Sequence, residues 1–194
     1  MKKVLNIVQT SEEELIKQCV RNKSQAQRQM FDKYSSSMFG ICLRYIKEPA
    51  QAEEVMIIGF TKLFEKIGQF RFEGSFEGWM KRLMVNEALS YLRKNKYMYL
   101  EVDIETVHKE PNYSKLDDQL QVDDLMKLIQ GLPVGYRTVF NLFAIEGYSH
   151  KEIAEKLEIS ENTSKSQLSR ARMLLQKQLL ESENNLNSKV SSHE

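Results

Sequence analysis

Apolar residues recur at helical spacing through most of this chain, and nowhere do they alternate with polar residues over the length of a strand. Ser11 followed by Glu14 makes a capping box and predicts a helix over about 12–22. Ser24 opens a longer one, to about 47, with Ala26, Met30, Tyr34, Met38, Ile41 and Tyr45 near helical spacing until Pro49 breaks it. A third runs from about 50 to 67 through Val55, Phe60, Leu63 and Phe64, and Gly68 ends it. Residues 69–78 hold Gly74 and Gly78 and repeat Phe-Glu-Gly, a composition that predicts a loop or turn. A further helix, about 76–96, carries Trp79, Leu83, Val85, Ala88, Leu89 and Leu92. The predicted class is all-α.

The second half of the chain has the sharper pattern. A helix over about 136–145 ends at Gly147, a natural breaker. Ser149 and Glu152 form a second capping box, followed by Ile153, Ala154 and Leu157 on one face. That helix stops near 157–159, and Ser160 caps the next, with Glu161 at its positive end. Leu168, Ala171, Leu174 and Leu175 make the buried stripe of this last helix, while Asn162, Thr163, Lys165, Ser166, Ser169 and Arg170 fall largely off it. Two Ser-initiated helices at a tight junction, the second with an exposed basic and polar face, are the layout of a helix-turn-helix. In that motif the second helix enters the major groove of duplex DNA. An ordinary three-helix bundle with a solvated basic face is the bland alternative, and the paired caps and the confinement of charge to one face argue against it.

The net charge of +1 over 194 residues carries no information about nucleic acid, but its distribution does. From Lys81 to Lys96 five basic residues face a single acid, Glu87, whereas from Glu101 to Asp124 eight acids face Lys109 and Lys115. This predicts two small helical domains, 11–96 and 122–180, joined by a flexible acidic linker over 97–121, with a polar, disordered tail over 181–194. Cys19 and Cys42 are too few for a disulfide framework and lie on apolar patterns, where they read as small buried hydrophobes. His108, His150 and His193 have no ligand spacing, so no metal site and no cofactor is expected. No apolar run reaches membrane-spanning length and no signal-peptide core opens the chain, so membrane insertion is not expected and a cytoplasmic location is.

With both halves in view, the chain resembles bacterial sigma factors of the sigma-70 family, in their extracytoplasmic-function (ECF, group 4) class. Ala52-Glu53-Glu54-Val55 and Phe60-Thr61-Lys62-Leu63 are similar to the family's polymerase-binding helix, and Phe70, Phe72, Ser75-Phe76, Trp79 and Asn86 to its promoter-opening segment. Leu132-Pro133, Glu146-Gly147-Tyr148-Ser149, Glu152-Ile153-Ala154, Thr163, Lys165-Ser166 and Arg170-Ala171-Arg172 are similar to its −35-reading domain. The resemblance implies a subunit that binds core RNA polymerase, reads promoter DNA at the −35 and −10 elements and promotes its opening.

Residue by residue, the resemblance implies duplex −35 contacts from Asn162, Thr163, Lys165, Ser166, Ser169 and Arg170, Arg170 to guanine or to a phosphate and Lys165 to a phosphate. It implies contacts to the melted −10 strand, the non-template strand, from Phe70, Arg71, Phe72, Asn86, Ser90 and Arg93, since aromatic faces can hold a flipped base. For Phe72, Phe76 and Trp79 the competing reading is core, and for Trp79 it is the preferred one. Polymerase contacts fall to Glu53, Glu54, Ile57 and Ile58. Here the chain departs from the family, because Ile57-Ile58 stands where a polar Gln-Glu or Gln-Asp pair is usual. That leaves open a weakened polymerase interface or one adapted to another contact surface. An anti-sigma factor is a further partner that the resemblance alone implies.

Three other functions compete, one of them a purely structural or partner-binding helical protein, which would keep no DNA affinity to lose on replacing Lys165 and Arg170. A helix-turn-helix regulator that binds duplex DNA without engaging polymerase has the Ile57-Ile58 departure in its favour and the aromatic loop against it. An enzyme has little in its favour: the chain has no phosphate-cradling Gly-rich loop, no metal-spaced cluster and no Ser/His/Asp arrangement worth proposing, so no catalytic residue is expected.

Overall fold

A computed structural model describes residues 11–95 and 122–190, with side chains over 11–95 and 125–181. The expected acidic linker and the ends of the chain lie outside these residues, apart from the part of the expected tail up to Val190. All regular structure among the described residues is helical. It comprises α1 (Glu12–Val20), α2 (Ser24–Tyr45), α3 (Pro49–Lys66), α4 (Phe76–Lys94), α5 (Val122–Gly131), α6 (Val134–Phe140), α7 (His150–Leu157) and α8 (Glu161–Val190). Two compact units divide within α4, between Ala88 and Leu89, and the second also takes in Arg44–Lys47.

In the first unit the helix ends follow from local chemistry. The Ser11 hydroxyl accepts from the Glu14 amide, and Asn22 in the left-handed region (φ 53°) closes α1 as its amide donates to the Cys19 carbonyl at 2.9 Å. Pro49 sits in the first turn of α3, where its missing N–H costs nothing. A short 3₁₀ turn, Ile67–Gln69, follows α3 where Gly68 was expected simply to end it. Leu15, Ile16, Met30, Met38, Val55, Phe60, Leu63, Met80 and Met84 form the core, and both cysteines are buried as expected. Gly59 is what lets α3 and α4 approach, because a Cβ there would overlap the Met84 sulfur. The Lys62 ammonium donates to Glu87 at 2.6 Å and ties the same two helices at their edge.

The second unit packs α5, α6 and α7 on α8. Ile129, Leu132, Tyr136, Ala171 and Leu175 make one cluster, with Met126, Leu128, Phe140 and Leu174 partly buried against it. Between α6 and α7 the expected single helix over 136–145 is instead α6 followed by one π-helical turn, Asn141–Ile145. Gly147 at φ 78° then turns the chain toward α7, the left-handed backbone that the breaker reading requires. The capping box is complete, since Ser149 accepts from the Glu152 amide while Glu152 accepts from the Ser149 amide at 2.8 Å. Glu158 at φ 58° ends α7, and Ser160 accepts from the Thr163 amide at 2.9 Å to begin α8. The expected polar, disordered tail from 181 needs correction: α8 continues to Val190, because no Gly or Pro between 161 and 190 stops it.

Candidate nucleic-acid interface

The first half of α8 has two chemically distinct sides. Ser164, Leu168, Ala171 and Leu175 are buried at spacings of four, three and four residues. Asn162, Lys165, Ser166 and Ser169 are exposed on the other side, and Thr163 and Arg170 are half-buried at its margins. The capped N-terminus therefore presents small polar groups and one ammonium to solvent. Lys165 lies 3.8 Å from Glu161, one turn earlier, and Ser166 donates to the Thr163 carbonyl at 3.0 Å. Arg170 donates to the Tyr136 hydroxyl at 3.4 Å, so α6 steadies the guanidinium at the edge of the exposed face.

Beneath that face lies a contact the pattern reading missed. His150, first residue of α7, has Nδ1 2.9 Å from the Ser164 hydroxyl, and Ser164 is fully buried. The imidazole stacks on Phe143 at 4.7 Å, and the Arg172 guanidinium lies 5.7 Å from the same Phe143 ring. Burial first, then the positive charge of Lys165, holds His150 below its ordinary pKa of 6.5, against a smaller opposing pull from Glu161. A histidine one residue past an N-cap Ser, with a serine among the first residues of the next helix, was the available sequence signal.

The loop between the 3₁₀ turn and α4 gathers aromatic rings. Phe70 lies at their centre, with centroids 5.1 Å from Phe72, 5.1 Å from Phe76 and 5.7 Å from Trp79. Phe70 itself is buried, 9 % exposed, whereas Phe72 is 49 % exposed. Core burial, one of the readings offered for Phe72 from the sequence, therefore holds for Phe76 but not for Phe72. Phe72 also has φ 58°, a left-handed backbone unusual for a bulky residue and a strain on the order of 1–3 kcal/mol. Trp79 is only half-buried, which corrects the expectation that it is sealed in the core. It lines an open cleft of about 310 Å³ with Phe70, Arg71, Glu73 and Arg82, and Gly74 at φ 97° makes the turn beside it. Arg82 and Glu73 were not among the expected site residues.

Beyond the loop, Asn86, Ser90 and Arg93 follow on α4 at spacings of four and three residues, the first two exposed and Arg93 half-buried. On α3, Glu53, Glu54, Ile57 and Ile58 are all exposed, on the side opposite Val55, Met56, Gly59 and Leu63. The two isoleucines, 51 % and 40 % exposed, are large apolar side chains that the fold leaves in water. No helix among the described residues is long and apolar enough to cross a membrane, and no group of three or more His, Cys, Asp or Glu among them could hold a metal.

Comparison with known proteins places this geometry. The family model for sigma-70 region 2 matches residues 30–97, and that for sigma-70 region 4 matches residues 123–175, together more than half of the chain. The ECF RNA polymerase sigma factor SigW of Bacillus subtilis is 29 % identical over 176 residues, 84 % of this chain and 94 % of that protein. The RNA polymerase sigma-H factor of Pseudomonas aeruginosa is 24 % identical over 186 residues, 89 % of this chain and 96 % of that one. A solved complex of the sigma factor RpoE with the anti-sigma factor NepR from Bartonella quintana aligns at 23 % identity over 78 % of this chain and 95 % of that one, with a TM-score of 0.47. With both regions matched in order and full-length relatives of one kind, the chain belongs to the sigma-70 family of RNA polymerase sigma factors, in its extracytoplasmic-function class.

Proposed function

We propose that this sigma factor divides its work between a module over 11–96, which docks on core RNA polymerase and holds the melted −10 strand, and a module over 122–180, which reads the −35 element as duplex. In the second module the exposed side of α8, with Asn162, Thr163, Lys165, Ser166, Ser169 and Arg170, enters the major groove. Arg170 contributes base or phosphate contacts, and Lys165 a phosphate contact that adds affinity and salt dependence without sequence preference. In the first module Glu53, Glu54, Ile57 and Ile58 face polymerase. The non-template strand runs along Asn86, Ser90 and Arg93 of α4 to the aromatic loop, where Phe70, Arg71 and Phe72 meet an unstacked base. The work is done in the cytoplasm, where polymerase and promoter are, and the chemistry of RNA synthesis belongs to polymerase.

The observation that carries this reading is the cleft beside Phe72. An exposed aromatic ring on a strained backbone, packed on Phe70 of a cleft that Arg71 and Arg82 also line, suits a base out of its stack and a passing phosphate. A protein that reads only duplex DNA has no use for it. The experiment is transcription by core polymerase plus this chain from a library of randomised promoter sequences. Transcripts whose templates share two elements at one fixed spacing support the reading. Binding of duplex DNA without any transcript would favour the stand-alone regulator.

A further inference from the structure

The −35 contacts proposed above lie on the first turns of α8, and their usefulness depends on how that segment is rotated and where it stands along its axis. Side chains two residues apart on a helix point about 200° apart around it. Ser164 therefore points away from Asn162 and Ser166, into the unit, while those two point out. It is fully buried, and its hydroxyl meets His150 Nδ1 at 2.9 Å. His150 in turn is held on two sides, by the Ser149 cap that starts α7 and by the Phe143 ring stacked on it at an interplanar angle of 24°. A rigid chain of contacts thus runs from the π-helical turn through His150 to the buried side of the very residues that face the groove.

We infer that His150 and Ser164 are positioning residues for −35 reading: their hydrogen bond fixes the rotation and depth of the first turns of α8. The inference rests on α8 being the duplex reader. The bond has a definite chemistry. Neutral His150, with its proton on Nε2, accepts at Nδ1 from the Ser164 hydroxyl. Protonation turns Nδ1 into a donor, so the bond reverses: the Ser164 hydroxyl oxygen accepts, and its own buried proton loses the imidazole as partner. The charged groups facing the imidazole are Lys165 and Arg172 of α8, which oppose protonation, and Glu161 of α8, which favours it. Burial adds to the first pair, so the neutral form is the one the fold holds. Discrimination at −35 should then be complete near neutral pH and decline on acidification below the ordinary histidine value of about 6.5.

The test uses holoenzyme assembled from core polymerase and the full chain, with a promoter selected from the randomised library. The quantity read is the ratio of affinities for the intact promoter and for one with its −35 element scrambled. His150→Ala and Ser164→Ala should each lower that ratio about tenfold, the scale of one well-placed base contact, with affinity for core polymerase unchanged. His150→Gln sits on a half-exposed position that tolerates substitution, and its amide can still meet the Ser164 hydroxyl. It should keep the ratio, and keep it flat across the acid range in which the wild-type ratio declines. Wild-type ratios in both alanine variants would overturn the inference. So would a loss in them that His150→Gln does not rescue together with no pH dependence in the wild type, since that pattern belongs to a plain packing contact. A wild-type holoenzyme with no −35 preference would overturn the duplex reading itself, before any substitution is made.

Discussion

The ring of Phe72 lies 5.1 Å from that of Phe70, yet one is half exposed and the other buried. Two aromatic residues two positions apart thus have opposite duties: Phe70 is buried and lines the cleft, while Phe72 packs on it with its ring half in solvent. Phe70→Ala should destabilise the first unit by about 3–5 kcal/mol, as for other buried phenylalanines, visible as a lower thermal midpoint. Phe72→Gly loses the ring contact with Phe70 but relieves a left-handed backbone, so the two effects oppose and stability should change by less than about 1 kcal/mol. Promoter opening, read by permanganate reactivity of unpaired thymines, should fall about tenfold or more with the loss of one stacked base. Normal opening by Phe72→Gly would remove Phe72 from the strand path.

Gly59 makes a separate, structural prediction. Its Cα faces Met84 across α3 and α4 with no room for a methyl group. Gly59→Ala should cost about 1–3 kcal/mol by overpacking, despite the better helix propensity of alanine. Met84→Ala alone leaves a cavity, but combined with Gly59→Ala each change makes room for the other. Denaturant unfolding of the two single variants and the double should therefore show a double variant more stable than the sum of the singles. Additive losses would mean that the two helices do not meet at these residues.

How much of this was legible in the sequence depended on range. Ser11, Ser149 and Ser160 announce their helices because a cap is a contact across three residues, and each caps, although the Glu14 carboxylate takes Gln18 and so leaves the box expected at Ser11 half made. The buried stripe of α8 follows from the spacing of Leu168, Ala171 and Leu175 for the same reason. Phe70 and Phe72 were not separable, because which ring turns inward depends on a left-handed backbone at Phe72 that no rule predicts for phenylalanine. The π-helical turn at Asn141–Ile145 replaces continuous α-helix without any Gly or Pro to mark it. Ser164 is placed by the sequence neither on the apolar stripe nor on the exposed face, and only packing against α7 shows it buried.

Ile57 and Ile58 bear on the polymerase interface. Both are exposed and neither contributes to the core, so Ile57→Ala with Ile58→Ala should change stability by only about 0.5 kcal/mol. If α3 docks on polymerase, each isoleucine buried in the complex contributes up to about 1.5–3 kcal/mol. Affinity for core polymerase, measured by fluorescence titration, should then fall at least tenfold in the double variant. Unchanged affinity would put the docking surface elsewhere.

The capping box at α7 has a pH signature. The Ser149 amide, then the Ser149 hydroxyl, donate to Glu152 and hold its carboxyl below the ordinary value of 4.5. A folded pKa below the unfolded one gives stability that is complete above about 4.5 and lost as pH falls through the folded value. Glu152→Ala should unfold at a lower temperature near neutral pH, and the gap from wild type should close on acidification. A gap independent of pH would show that the carboxylate charge contributes nothing to the cap.

The central claim, that this chain is a working polymerase subunit, is tested most directly by size-exclusion chromatography of the purified chain with bacterial core RNA polymerase at moderate salt. Co-elution as a stoichiometric complex that survives re-chromatography is expected. A folded chain that binds duplex DNA yet elutes apart from polymerase at every ratio would contradict it.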